Sequence, residues 1–308
     1  MKCEQVFRGH DGAVHIALFD SKSQLSIHRS LESGEYILSG GQDKQLLLHS
    51  RKSSTPLASY EGHGWPILSL SISPDAERIA SAGEDRQIFL WDSSTRKLLR
   101  RLSGHTQRID ALSFHRSSSD NTFLLASAGY DRSIRLWDLR SSERFPLQVL
   151  EDAKDGVTSL DWRDYFLLAS SVDGHVRCYD IRKSLLTTDA IGAPVTSVQF
   201  SNLLRNYLVS SLDGKIRLLE NSSGKILCEY SGHKAGQYKC SVTYLQPEER
   251  LLAFGSENGP IHIWDLVPKG RGIISLPGHT GPVTSVTSHP TRPELISSSL
   301  DGTVRLWS

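Results

Sequence analysis

The sequence predicts an all-β chain built as a seven-bladed β-propeller, and three observations carry that expectation. Nearly the same fourteen letters are written twice, IASAGEDRQIFLWD at 79–92 and LASAGYDRSIRLWD at 125–138. Aligned on their aspartates, the chain shows seven anchors: Asp43, Asp85, Asp131, Asp173, Asp213, Asn258 and Asp301. They are separated by 42, 46, 42, 40, 45 and 43 residues, the period of a four-stranded propeller blade. Six residues after each anchor stands His49, Trp91, Trp137, Tyr179, Leu219, Trp264 or Trp307, and no long segment keeps a 3.6-residue apolar period.

The elements follow in the same order within every repeat. A short apolar strand precedes the anchor, as in RIASA at 78–82 and YLVSS at 207–211. The anchor occupies a tight turn, and in four repeats a glycine follows it (Gly174, Gly214, Gly259, Gly302), suited to left-handed backbone angles. An alternating segment comes next, such as Ile134-Arg135-Leu136-Trp137, expected to turn one apolar face inward and one wet face outward. The chain stops at Trp307-Ser308, where a third strand ends. CEQVF at 3–7, within a closing strand placed at 3–8, stands ready to supply the fourth strand of blade seven. Residues 20–34, DSKSQLSIHRSLESG, read as a long loop in blade one and a secondary candidate for docking.

The totals fit one globular unit over residues 1–308. Hydrophobic residues make up 38%, charged residues 22%, and the formal net charge is +1, so no global field draws the chain to nucleic acid or anionic membrane. The amino terminus lacks an apolar signal core, and no run of about eighteen apolar residues could span a bilayer. Cys3, Cys178, Cys228 and Cys240 are scattered without a CxxC pair, which suits a reducing, intracellular compartment, cytoplasmic or nuclear. The histidines recur once per repeat instead of at metal-ligand spacing, and no phosphate-binding glycine loop occurs. No metal or cofactor is expected.

Each repeat also offers Ser, His and Asp, the constituents of a nucleophilic triad. The sets are His63, Ser81, Asp85 with Trp91, then His105, Ser127, Asp131 with Trp137, then His279, Ser297, Asp301 with Trp307. A triad needs one serine beside one substrate cleft, and three near-identical copies around a ring serve no single reaction. The expected role is architectural, and the chain is not expected to be an enzyme.

Trp-Asp at 91–92, 137–138 and 264–265, its variants Tyr179-Asp180, Leu219-Glu220 and Trp307-Ser308, and Gly-His at 9–10, 62–63, 104–105, 232–233 and 278–279 resemble the WD-repeat family along the whole chain. That resemblance implies that Asp, His, Ser and Trp of one blade form a hydrogen-bonded tetrad. Blade one keeps His10, Ser39 and Asp43 but ends in His49. Blades four and five lack the Gly-His corner and carry Ala169 and Val209 in place of the serine, so they are expected to rely on apolar packing. Blade six keeps His233 and Trp264 but has Phe254.

A propeller implies a platform, and function must be sought in its surfaces. The top face is built from the corners before each first strand and the turns before each anchor. There the candidates for partner binding are Trp65, Glu84, Arg108, Asp110 and Tyr130 on blades two and three, with Tyr238, Lys239 and Glu257 on blade six. The basic stretch RKLLRRLSGH at 96–105 is placed on the outer strand of blade two, where charge blunts an edge, and Ser103 within it matches a basophilic kinase site.

EDAKDGVTSLDW at 151–162, VDGHVRCYDIR at 172–182 and LVSSLDGKIRLLENSSGKILCEYSGHKAGQYK at 208–239 resemble the mitogen-activated-protein-kinase organiser family of small propellers. The DSKSQLSIHRS insertion departs from it. The resemblance implies a scaffold for kinase modules, also associated with spliceosomes, with protein partners; the near-zero charge, the lack of an apolar span and the closed ring add the expectation of no membrane, no sequence-specific nucleic-acid contact and a monomer within larger complexes. The alternatives are the WD-repeat subunit of the U5 spliceosomal particle and a substrate receptor of a ubiquitin ligase.

Overall fold

A computed structural model of the chain describes residues 1–20, 34–116, 123–266 and 274–308. The long loop expected at 20–34 lies, from 21 to 33, outside the described residues. The described residues form seven four-stranded antiparallel sheets and contain no helix. The innermost strands are Val14–Phe19, Ile67–Ile72, Ile109–Phe114, Val157–Arg163, Val195–Phe200, Val242–Leu245 and Val283–Ser288. The outermost are Pro56–Tyr60, Leu98–Ser103, Gln148–Leu150, Leu185–Ala190, Ile226–Tyr230, Ile274–Leu276 and, for blade seven, Cys3–Phe7.

Burial explains the spelling of these strands. A blade is sandwiched between two neighbours, so its second and third strands are covered on both faces. They therefore read as small or apolar runs, and Arg78–Gly83 (RIASAG) is buried along all but its first residue. The small side chains matter: Ala80 and Ala82 of blade two leave room for Ile109, Phe114, Leu125 and Trp137 of blade three. The wet face expected for Ile134–Asp138 is thus a correction. Arg135 is mostly buried between blades and points its guanidinium at Asp131. Alternation in these strands marks which neighbouring blade a side chain faces.

In six blades the first strand slips register near its top, as between Ile109 and Ala111. Such a bulge twists the strand and throws the preceding corner onto the upper face. The corner then presses on the end of the second strand. A Cβ at Gly83 would lie 2.0 Å from the Pro66 carbonyl oxygen, and one at Gly129 would lie 2.1 Å from that of Arg108. Glycine is required there by close approach.

The ring is closed by the amino-terminal strand, which pairs with Val304–Trp307 in the order Cys3↔Trp307, Gln5↔Leu306, Val6↔Arg305 and Phe7↔Val304. The strand ends at Phe7, one residue short of the expected boundary, and Arg8 turns away to donate its amide to the Ser54 carbonyl. Lys2 and Ser308 exchange backbone hydrogen bonds at 2.7 and 3.1 Å. Phe7 is buried among Val14, Ala17, Phe19, Ile37, Ile296, Val304 and Leu306, so the closing strand joins blade seven to blade one through a shared core.

Candidate functional site

The polar interior is described first, because it separates structural side chains from those free to bind. In blade three Trp137 Nε1 donates to Ser127 Oγ at 2.8 Å, Ser127 Oγ lies 2.8 Å from His105 Nε2, and His105 Nδ1 lies 2.9 Å from Asp131 Oδ2. Every member is satisfied when the hydroxyl donates to a neutral imidazole whose Nδ1–H donates to the carboxylate. Blade two repeats this with His63, Ser81, Asp85 and Trp91, and blade seven with His279, Ser297, Asp301 and Trp307. Burial alone would raise the Asp131 carboxyl, but hydrogen bonds from His105, Thr106 and Ser133 outweigh it and hold the group well below the usual carboxylate range. Ser81, Ser127 and Ser297 are wholly buried and already accept an indole N–H, so none presents a nucleophile to a substrate.

Blades four and five correct the expectation of purely apolar packing. Arg177, four residues after Asp173, places its Nη2 2.8 Å from Asp173 Oδ2 and its Nη1 3.3 Å from Oδ1. Arg217 repeats the arrangement with Asp213 and also reaches Ser211 Oγ at 2.7 Å and Glu229 Oε1 at 3.1 Å. Both arginine side chains are buried. Asp173 is held down to about 2: burial opposes ionisation, but the Arg177 fork and the amides of Lys154 and His175 outweigh it. An arginine fork replaces the missing histidine. The Asp-x-x-x-Arg spacing was the available sequence signal.

Blades one and six contain incomplete networks. His10 binds Asp43 and Ser39 at 2.7 and 2.8 Å, but His49 takes the tryptophan position and neither of its ring nitrogens has a partner. His233 of blade six, packed on Phe254 and Trp264, is likewise unpartnered at both nitrogens. Burial lowers both imidazoles to about 4, reinforced by His10 for the first and His262 for the second. In the unfolded chain each takes up a proton near 6.5, while the folded protein refuses it until about 4, so stability is present above 6.5 and lost as pH falls from there. Burial raises Asp20 to about 7, which works in the opposite direction. The histidine part is isolated by substitution: His49→Leu and His233→Leu should each recover roughly 3 kcal/mol of the loss between neutral pH and pH 4 in urea unfolding. Identical pH slopes for variants and parent would refute this.

The expected top-face residues fall into three groups. Arg108 lies 4.8 Å over the Tyr130 ring, and Gly156 packs against the same side chain, where a Cβ would come within 2.9 Å of Tyr130 Cδ2. Arg108 Nε also donates to Asp110 Oδ2 at 3.3 Å, so guanidinium, ring and carboxylate are mutually oriented. Trp65 is 59% exposed on the adjacent corner, and the Glu84 amide donates to the Pro66 carbonyl, which puts Glu84 beside it. On blade six, Glu257 Oε1 accepts the amides of Gly236, Gln237 and Tyr238 at 2.6–2.7 Å. Those amides hold the Glu257 carboxyl below its usual range, although burial opposes them. Glu257 therefore braces the corner that presents Tyr238.

Lys239 joins two of these groups. Its Nζ crosses the mouth of the central channel and donates to the Asp110 carbonyl oxygen at 2.7 Å, linking the corners of blades six and three. Desolvation in the channel lowers the Lys239 ammonium, with the Asp110 charge opposing that shift. The channel encloses about 720 Å³ and is lined near its mouth by His15, Glu84, Arg108, Asp110, Tyr238 and Lys239. Among the described residues no cluster of His, Cys, Asp and Glu could hold a metal ion. Ser103 is exposed but lies in a strand paired to Gln87, and the arginines before it are engaged, Arg100 by two carbonyls and Arg101 over Phe89. A kinase reading RRLS would first have to peel that strand away.

Comparison with known proteins places this geometry. The model of the WD domain, G-beta repeat, matches residues 54–92, 96–138, 144–180 and 270–308, more than half of the chain. The human WD repeat domain-containing protein 83 is 37% identical over 274 residues, covering 89% of this chain and 85% of that protein. Its homologue from Dictyostelium discoideum is 29% identical over 336 residues, covering 100% and 98%. Among solved structures, U3-55K superposes with a TM-score of 0.80 at 20% identity, covering 95% of this chain and 90% of that one. The RRP9 WD40 repeats superpose with a TM-score of 0.82 at 19% identity, covering 98% and 96%. At those identities the two structures attest the fold alone.

Proposed function

The chain belongs to the WD40 repeat family and is homologous to WD repeat domain-containing protein 83, and on that premise we propose that it is a non-catalytic scaffold that gathers proteins on its top face. The observation that carries this reading is the Arg108–Tyr130–Asp110 cluster beside Trp65. Exposed aromatic surface and an arginine, both held in place by their neighbours, are the composition of a binding hot spot. The polar triads, by contrast, are used up inside the blades.

The partners we propose are components of a mitogen-activated-protein-kinase module or of the spliceosome, within an intracellular compartment. Support comes from the resemblance at 151–162, 172–182 and 208–239. A U5-type splicing subunit or a ubiquitin-ligase substrate receptor are the competing assignments, and neither draws on a specific feature of the top face.

Affinity isolation followed by mass spectrometry, with the parent chain beside a Trp65→Ala/Arg108→Glu variant, tests the reading. Folding of the variant is checked by circular dichroism. Loss of the patch should weaken partner capture by about 30-fold or more, since even one such hot-spot residue costs about 2 kcal/mol or more. Kinase-module or splicing proteins retained equally by both forms would move the binding surface elsewhere on the ring.

A further inference from the structure

One seam of the ring departs from the packing of its neighbours. Five residues after the anchor, six blades carry Leu or Ile, and blade four carries Cys178. Eight residues after the anchor, blades three, four and six carry Leu139, Ile181 and Leu266, and each packs into the core shared with the preceding blade. Leu90 thus shares a core with Leu139, Leu136 with Ile181, and Leu218 with Leu266. Where blade four meets blade five the corresponding pair is Cys178 and Asn221, whose Sγ and Oδ1 lie 3.9 Å apart. A small side chain and a polar one stand where two large apolar ones pack elsewhere, and the seam does not fill.

The result is a groove of about 570 Å³ with Phe166, Cys178, Leu185 and Leu204 as its apolar lining. It lies at the lower edge of the ring. Among its lining residues, Asp180 ends the third strand of blade four and Asn206 begins the second strand of blade five, at the other end of the blades from the anchor turns. Burial pushes the Cys178 thiol up to about 12, reinforced by the charges of Asp189 and Asp180, so the sulfur is a neutral wall and not a nucleophile.

Charge selects what can fill this space. Asp180 is 8% exposed and accepts the Lys183 amide at 3.0 Å, and Glu220 accepts the Ser223 hydroxyl. Neither carboxylate has an ion-pair partner among the described residues. Against these two carboxylates the lining holds one guanidinium, Arg205. A buried carboxylate is stabilised by a cation, and an apolar floor by a large apolar side chain. The two together match a basic residue set next to an apolar anchor.

We propose that the groove between blades four and five binds a segment of a partner protein, which inserts one large apolar side chain and sets a neighbouring Lys or Arg against Asp180 and Glu220. The site is separate from the top face and does not depend on the scaffold reading of that face. Fluorescein-labelled hexapeptides with a central Leu, Met or Phe flanked by Lys or Arg probe it by fluorescence anisotropy. Matched controls carry Ala at the centre, or Asp and Glu at the flanks. The basic peptides with a large apolar centre should bind at least about tenfold more tightly than either control set, a difference of about 1.4 kcal/mol. Cys178→Leu installs the side chain that other blades carry, and it should weaken the best peptide by about tenfold or more, because the anchor loses the space it would occupy. Asn221→Leu should do the same from the opposite wall, and Glu220→Gln should weaken binding severalfold. Thermal unfolding verifies that the variants fold, and either filling variant suffices if the other does not. The Trp65→Ala/Arg108→Glu variant should bind unchanged. The proposal is overturned if no basic peptide binds, if the acidic controls bind equally, if a folded filling variant keeps the parent's affinity, or if the top-face variant loses it. It is also overturned if sedimentation shows self-association that Cys178→Leu abolishes, because a second copy of this chain would then fill the groove.

Discussion

Deletion of residues 1–8 is expected to abolish the cooperative stability of the whole ring, not merely to fray one blade. Phe7 is 1% exposed in a core shared by blades seven and one, and losing a buried phenylalanine costs about 3–5 kcal/mol. The ladder to Val304–Trp307 and the Lys2–Ser308 pair go with it, leaving an unpaired edge that includes Leu306 and Trp307. Against a typical stability of about 5–15 kcal/mol, that loss takes a large share of the total. Urea unfolding and analytical sedimentation of the truncated chain should show an early, aggregation-prone transition. Phe7→Ala, which keeps the ladder, should lose only the 3–5 kcal/mol of the side chain. A truncated chain unfolding at the parent's midpoint would mean that the ring holds without its closing strand.

Asp173→Ala should destabilise the protein by about 3–5 kcal/mol, because it leaves the buried Arg177 guanidinium without its carboxylate. The same substitution at a solvated turn would cost a few tenths. Adding Arg177→Met removes the stranded charge, and the Asp173→Ala/Arg177→Met chain should regain most of the loss. The cycle is measured by urea unfolding of the parent, both single variants and the double variant. Additive single and double effects would show that fork and carboxylate do not act as a unit. Water-filled space around Arg177 would give that result, since a hydrated guanidinium needs no partner.

The two predictions mark different degrees of legibility. The closing strand could be read directly: a ring whose final repeat lacks a fourth strand, beside an amino-terminal apolar segment, has one economical solution. The tetrads of blades two, three and seven were legible through the resemblance to the WD-repeat family, since Ser, Asp and Trp keep constant spacing and Gly-His marks the corner. The arginine forks were not, although Arg177 and Arg217 sit at a constant distance from their anchors. An arginine in an alternating strand looks like a solvated face until the neighbouring blade is placed over it. His49 and His233 escaped for the related reason that a missing partner cannot be seen from one repeat.

On the top face, the sequence singled out Arg108, Asp110, Tyr130 and Lys239 as members of a surface, yet Asp110 and Lys239 are 129 residues apart. Only ring closure carries Lys239 across the channel mouth to the Asp110 carbonyl, and only the corner geometry brings both Arg108 and Gly156 against Tyr130.

By itself, then, the sequence determined what repeats: the period, the blade count and the closing strand, with the hydrogen-bonded tetrads added by its resemblance to the WD-repeat family. The tertiary structure alone decided what happens between repeats. It settled which charges are buried in pairs, which histidines are stranded, and which side chains meet across the channel. The physical reason is that local spacing controls hydrogen bonds within a blade, whereas burial is a property of the neighbour, and the neighbour arrives only when the ring closes.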